Sequence, residues 1–162
     1  MKRILSALVC TLIFSVSATY ADTNLVEADS EVFDNAITAF EQKDFLTAVE
    51  LFTDLANQGE PNAQHNLSIL YLKGLGSPVS YERALYWAWR ASLGGSEPAV
   101  LMFDDVRSIV TDELVGVVSG EIVTELTEKA MAGDRDAAER LGKTYYKLFV
   151  QPDLRMAYVW FL

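Results

Sequence analysis

Apolar and small residues recur at intervals of three and four along most of the chain, which is the spacing of one face of an α-helix. Two such stretches follow Asp44 and Ser80, residue types that cap helices because their side-chain oxygen accepts from first-turn N–H groups. Gly59 and Gly95 end these stretches, as expected where a helix closes on a left-handed residue. The two faces comprise Ala48, Leu51, Phe52, Leu55 and Ala56, and then Ala84, Trp87, Ala88, Ala91 and Ser92. No strand pattern is evident, so the sequence predicts an all-α fold.

The helical stretches are repeats of one another. Two pairs of segments match at offsets of 74 and 73 residues, and a further copy lies 36 residues before one of them. The matching segments are Asn62–Leu67 with Asp136–Leu141, Ser80–Trp87 with Asp153–Trp160, and Asp44–Leu51 with Ser80–Trp87. The larger offset spans two units, so one unit has about 36 to 38 residues, a period typical of stacked helix pairs. We therefore predict an α-solenoid of antiparallel helix pairs.

The best unit resembles a known family of helical repeats. The resemblance is carried by Ala63, Leu67, Tyr71, Gly74 and Gly76, followed by Ala84, Trp87, Ala91 and Gly95. These residues resemble the Sel-one-like repeat family, whose solenoids are related to tetratricopeptide repeats. The match is strong over Asn62–Gly95, fair over Asp136–Leu162 and partial over Asp44–Gly59, and Leu148 and Val150 replace the loop glycines of the last copy. The resemblance implies a protein that holds another protein.

The repeats divide the chain into a helical domain over residues 30–162. We predict a first helix pair at 30–59, the best-matching repeat at 62–95, an atypical repeat at 99–133 and an incomplete repeat at 136–162. In the atypical repeat a long second helix begins at Asp112 and runs to about Ala132. Gly116 and Gly120 lie within it, and indicate either a close approach of another helix or a weak spot or break near Ser119.

The N-terminus has the three parts of a secretory signal peptide. A positive start, Met1–Arg3, precedes the uncharged and mostly apolar segment Ile4–Ser17, and Thr19–Ala21 then supplies small residues for cleavage after Ala21. The apolar segment is shorter than the about 20 residues that a membrane span requires. We therefore predict a signal peptide over 1–21, a disordered segment over 22–29, no membrane span after cleavage, and a periplasmic or secreted protein.

Charge and residue inventory exclude several functions. The net charge is −10, and it becomes −12 when cleavage removes Lys2 and Arg3, which argues against nucleic acid as a partner. Cleavage also removes the one cysteine, which excludes cysteine–histidine catalysis and zinc sites with cysteine ligands. The one histidine, His65, is expected on the surface or in a groove. We predict no enzyme activity, no metal and no cofactor.

Paired carboxylates are the basis of an alternative. A cell-envelope hydrolase could use two of them as acid and base, although a solvated face is the simpler interpretation. The candidates are Asp104, Asp105, Asp112, Glu113, Glu121, Glu125 and Glu128.

The candidate protein-binding residues are Tyr86, Trp89 and Arg90. Trp87 and Trp160 occupy equivalent positions on the repeat core, whereas Trp89 lies about 200° around the helix from Trp87 and is expected to be exposed. Tyr86 and Arg90 are four residues apart and can stack. An exposed group of Trp, Tyr and Arg is typical of an interface hot spot, and packing of Trp89 on the next unit is the alternative.

The last residues, Val159–Leu162, are apolar where a terminal repeat needs a polar outer face. Either the chain is a fragment or a partner or second copy covers this edge. The leading hypothesis is an exported, non-catalytic scaffold that binds another protein through the concave face of the solenoid. A structural subunit that self-associates through the apolar C-terminal edge is a further alternative.

Overall fold

The computed structural model describes residues 30–162, which form eight α-helices and no strand. The predictions for residues 1–29 lie outside the described residues. The helices are α1 Glu31–Glu41, α2 Phe45–Asn57, α3 Pro61–Lys73, α4 Tyr81–Leu93, α5 Glu97–Ile109, α6 Asp112–Met131, α7 Arg135–Lys147 and α8 Leu154–Phe161. The predicted all-α solenoid is confirmed.

The predicted caps begin the helices. Asp44, Ser80 and Asp153 each accept a hydrogen bond from the backbone N–H three residues ahead, at 3.3, 3.2 and 2.9 Å. These bonds satisfy donors that the first turn of a helix leaves without an intrahelical partner. The positive φ angles of Gly59 and Gly95, 94° and 86°, reverse the chain after α2 and α4.

The helices pack in chain order as antiparallel pairs. α1 packs on α2, α3 on α4 and α7 on α8, while α2–α3, α4–α5 and α6–α7 join successive units. Between residues 30 and 162, no helix is long and apolar enough to cross a membrane.

Helix α3 is buried around most of its circumference, and this burial contradicts one prediction. α2, α4 and α5 all pack on it, and His65 is only 2% exposed. The expectation that His65 lies on the surface or in a groove is therefore wrong. Two of the buried polar side chains of α3 bond to its neighbours: Gln64 donates to the Ala56 carbonyl at 2.9 Å and Ser68 to the Ala84 carbonyl at 2.8 Å. Such pairing is required because a buried polar group without a partner is costly.

The third unit does not close into a helix pair. Only Val110 and Thr111 separate α5 from α6, yet these helices do not pack along each other. Both connecting residues have extended backbone, with ψ near 157° and 156°, whereas left-handed residues reverse the chain at Lys43 and Gly74. As a result α5 packs on α4 and α3, and α6 packs on α4 and α7.

Helix α6 is continuous through Ser119, so the expected close approach and the expected break are both wrong, and a weak spot at the glycines stays a prediction. Gly116 and Gly120 are exposed, and a Cβ atom at either position would meet no other atom within 4 Å. No helix approaches closely there. The buried stripe lies on the other side of α6, at Val115, Val118, Ser119, Ile122 and Leu126.

The last repeat replaces its loop glycine with a buried side chain. Gly74 has a φ of 69° at the end of α3, whereas the corresponding Leu148 keeps helical backbone at the end of α7 and is fully buried. Both loops nevertheless end on the same bond: the Ser80 N–H donates to the Tyr71 carbonyl at 3.0 Å, and the Asp153 N–H to the Tyr145 carbonyl at 3.0 Å. The turn of the last repeat is therefore built differently from the turn after α3.

Because Gly120 is exposed in a regular helix, Gly120→Ala should raise the free energy of unfolding by up to about 1 kcal/mol. Urea unfolding followed by circular dichroism measures this change. Gly133→Ala is the matched control, since the φ of 99° at Gly133 makes the same substitution destabilising. A loss of stability on Gly120→Ala would contradict the open environment of this residue.

Candidate protein-binding site

Trp89 is buried between three helices. Trp89 is a residue of α4, and its ring packs against Phe103 of α5 at a centroid distance of 4.7 Å. Its indole N–H donates to the Thr144 hydroxyl of α7 at 3.1 Å. It is 3% exposed, so the predicted exposure is wrong and the alternative, packing on the next units, is correct. A rotation of 200° takes Trp89 away from the α3–α4 seam, but it directs the ring toward α5 and α7 rather than into solvent.

Tyr86 and Arg90 are also largely buried, in a polar cluster with two residues of α6. The Tyr86 hydroxyl donates to the Glu125 carboxylate at 2.9 Å, and Arg90 donates to the same carboxylate and to the Tyr86 oxygen, the latter at 3.1 Å. Lys129 completes the cluster with a 2.7 Å ion pair to Glu125. The predicted stacking is confirmed, because the Arg90 guanidinium lies 5.4 Å from the Tyr86 ring centre. The predicted exposure is wrong, since Tyr86 is only 8% exposed.

The polar cluster fixes the charge of Glu125. Burial opposes its ionisation, but hydrogen bonds from Arg90 and Lys129 outweigh burial and lower the pKa of Glu125 to about 2. Burial also raises the pKa of Tyr86 to about 12, against the opposing charge of Arg90. Glu125 therefore stays ionised at neutral pH, which makes it unsuited to donate a proton.

The other candidate carboxylates lie at the surface. Asp104, Asp105, Asp112, Glu113, Glu121 and Glu128 are all exposed. The part of the chain from residue 30 onward contains no group of three His, Cys, Asp or Glu residues that could hold a metal ion. The carboxylates thus form the solvated faces that the sequence favoured over a catalytic pair.

A groove lies between α5 and α7, and we call it the α5–α7 groove. Trp89 and Phe103 line its base, Val100 and Asp104 line it from α5, and Lys143 and Lys147 line it from α7. Its volume is about 230 Å³. The groove exists because α6 does not pack alongside α5 and so leaves the space beside Trp89 open.

A second, smaller cavity lies on the other side of Arg90, between α4, α6 and α7. Its volume is about 140 Å³. Residues of both charges line it, since Lys129 and Arg140 share its lining with Asp134 and Asp136. The α5–α7 groove has the simpler chemistry, with a mainly apolar base and two lysines along one wall.

Of the three sequence-predicted site residues, only Trp89 lines the α5–α7 groove. Sequence reasoning missed Phe103, Val100, Lys143 and Lys147 as parts of one site. The spacing of Lys143 and Lys147 carried a usable signal, because residues four apart share one face of a helix. No local signal brings α5 and α7 together, since their proximity depends on the divergence of α5 and α6.

The pKa of Glu125 is lower in the folded than in the unfolded chain, where it is near 4.5. The contribution of Glu125 to the free energy of unfolding is therefore complete above pH 4.5 and is lost as the pH falls toward 2. Glu125→Gln should lower the free energy of unfolding at pH 7 by about 2 kcal/mol and flatten its decline between pH 5 and 2. Denaturant titrations at several pH values measure both effects. Glu121→Gln, which removes only the exposed 3.1 Å pair with Arg83, is the control and should change stability little. If the free energy of unfolding depended on pH in the same way for wild type and Glu125→Gln, ionisation of Glu125 would not be coupled to folding.

Comparison with known proteins supports the repeat assignment. The Sel1 repeat family model matches residues 61–96, which contain α3 and α4, and residues 135–162, which contain α7 and α8. The predicted resemblance over Asn62–Gly95 and Asp136–Leu162 is thereby confirmed. No curated protein matches the chain. Sel1 repeats generally mediate protein–protein interaction, and proteins that contain them are typically non-catalytic scaffolds. The chain contains Sel1 repeats in these two segments and is a Sel1-like repeat protein.

Proposed function

We propose that this protein is an exported, non-catalytic scaffold that binds another protein of the cell envelope at the α5–α7 groove. The groove separates the first helices of two successive units, α5 and α7. The sequence predicts binding at a concave face, as solenoids present to extended partners, and the proposal assigns that binding to this one groove.

The observation that carries the proposal is an aromatic pair at the base of an open groove. Trp89 and Phe103 contact each other, and the bond from Trp89 to Thr144 fixes the indole in one orientation. A side chain entering the groove therefore meets a rigid apolar surface whose ordering cost is already met by the fold. Val100, which is 42% exposed on the α5 side, extends this apolar surface toward solvent.

The non-catalytic part of the proposal rests on the family and on the carboxylates. Sel1 repeat proteins are typically scaffolds, and the buried carboxylate of Glu125 is occupied by Arg90, Tyr86 and Lys129. A general acid requires a raised pKa, whereas that of Glu125 is lowered to about 2.

Export is proposed from the sequence of residues 1–21. The charges of Lys2 and Arg3, the uncharged segment Ile4–Ser17 and the small residues before Asp22 together match a cleaved secretory signal. The charge of −12 that remains after cleavage suits a protein that stays in solution beside anionic membrane surfaces.

A specific observation favours self-association as a second candidate function. Tyr158 of α8 is 64% exposed, while Leu85, the equivalent residue of α4 at the offset of 73, is fully buried. α4 is enclosed by α3, α5 and α6, whereas the main neighbour of α8 is α7. The exposed face of α8 includes Leu154, Tyr158, Val159, Phe161 and Leu162. A second copy that covers this face would remove apolar area from water.

Expression in a Gram-negative host tests export. We expect the protein in the periplasmic fraction or the medium, with a mass that places Asp22 at the N-terminus. Leu12→Arg, which puts a charge in the apolar segment, is the control and should retain the precursor in the cytoplasm. An unprocessed wild-type chain in the cytoplasm would refute export.

Site-specific photo-crosslinking in those cells tests where binding occurs. Benzoylphenylalanine in place of Val100 should yield an adduct with a different protein, and in place of Tyr158 an adduct with a second copy of this chain. Thr124, an exposed residue on α6 outside the groove, is the control position and should yield neither. Equal adducts at Val100 and Thr124, or none at Val100, would contradict binding at the groove.

A further inference from the structure

Charge in this protein is distributed unevenly, because the net charge of α7 is opposite in sign to that of the whole chain. α7 contains the cations Arg135, Arg140, Lys143 and Lys147 and the acids Asp136 and Glu139, so its net charge is +2. The chain as a whole has a charge of −10, so the residues outside α7 sum to −12. Two of the four cations, Lys143 and Lys147, are the residues that α7 contributes to the α5–α7 groove.

We propose that the α5–α7 groove takes a peptide segment of the partner that combines a carboxylate with a neighbouring aliphatic side chain. The carboxylate pairs with Lys147 and Lys143, and the aliphatic side chain packs on Val100 and on the accessible edges of Trp89 and Phe103. This inference rests on the proposed function and specifies the chemistry of the partner.

The two lysines are available to such a carboxylate. Lys147 is exposed and forms no ion pair with any residue between 30 and 162. Lys143 forms a 2.7 Å pair with Glu139, but both side chains are about half exposed, so solvent screens this pair and weakens it. A partner carboxylate can replace Glu139 at little cost. The lysines lie four residues apart on one face of α7, about 6 Å along the axis, so one carboxylate can interact with both.

The opposite wall fixes the orientation of the peptide. Asp104 lies on the α5 side of the groove and is exposed. It repels a carboxylate on that side, so the acidic group is directed to the α7 side, and backbone N–H groups or a cation of the peptide face Asp104. The groove thus distinguishes a segment with an acid on one side from one that is acidic throughout.

The size of the groove favours a peptide side chain over a small-molecule cofactor. Pockets for small ligands usually have about 300 to 1,000 Å³, and this groove has about 230 Å³. That volume accommodates one or two aliphatic side chains above the Trp89–Phe103 pair.

Fluorescence anisotropy with a labelled octapeptide of alternating glutamate and leucine tests the proposal on the mature chain. Matched peptides carry glutamine or lysine in place of glutamate. We expect saturable binding of the glutamate peptide, at least tenfold weaker binding of the glutamine peptide, and none of the lysine peptide. A rise in salt concentration from about 50 to 500 mM should lower the affinity for the glutamate peptide several-fold, because salt screens exposed charges.

Lys147→Glu should weaken binding of the glutamate peptide at least tenfold and strengthen binding of the lysine peptide. Arg135→Glu is the matched control, since it makes the same change of charge on an exposed residue of α7 outside the groove. Unchanged helicity and melting temperature would exclude misfolding as the cause. Equal effects of the two substitutions would show non-specific attraction and overturn the proposal.

The remaining outcomes separate this inference from the proposed function. Equal affinities for the glutamate and glutamine peptides would overturn the acidic preference. A protein adduct at Val100 without binding of any octapeptide would also overturn it, but would leave protein binding at the groove intact. Absence of both peptide binding and Val100 adducts would refute the groove as the binding site altogether.

Discussion

The packing around α4 determines the arrangement of the C-terminal half of this protein. α4 pairs with α3 as a regular repeat requires, but it also contacts α5 and α6 along separate faces and bonds to α7 through Trp89. Each of these contacts occupies a side of α4 that a helix at the end of a solenoid would expose. Because α5 and α6 use different faces of α4, they diverge from each other. The α5–α7 groove and the polar cluster of Glu125 both follow from that divergence.

The periodic features of the fold could be predicted from sequence because they depend on neighbours along the chain. A cap such as Asp44 or Ser80 acts within its own first turn, and the spacing of Ala84, Trp87 and Ala91 describes one face of one helix. The repeat offsets then identified which helices form pairs, and the family match covers the pairs α3–α4 and α7–α8. Cleavage after Ala21, by contrast, concerns residues outside the described part of the chain and stays a proposal.

The errors concern residues whose burial depends on helices distant in sequence. The position of Trp89 around α4 was correctly estimated, but a helical wheel gives no indication that α5 and α7 cover that side. His65 was misplaced for the same reason, because α3 is enclosed by three helices. The extended backbone at Val110 and Thr111 changed the path of the chain, and no pattern of apolar residues marks that change. The parts of the site that lie on one helix, such as the spacing of Lys143 and Lys147, could be found from sequence, whereas the pairing of α5 with α7 could not.

The hydroxyl of Thr144 donates one hydrogen bond and accepts another at the same time. It donates to the Arg140 carbonyl within α7 at 2.8 Å and accepts from the indole of Trp89 at 3.1 Å. Its rotation is therefore fixed, and the indole has a single acceptor position in an otherwise apolar seam. A shift of α7 by one residue would leave the buried N–H without an acceptor, at a cost of about 1 to 3 kcal/mol. Apolar packing alone tolerates small slips between helices, so this bond specifies the register of α7 against α4, much as one buried polar residue sets the alignment of a coiled coil.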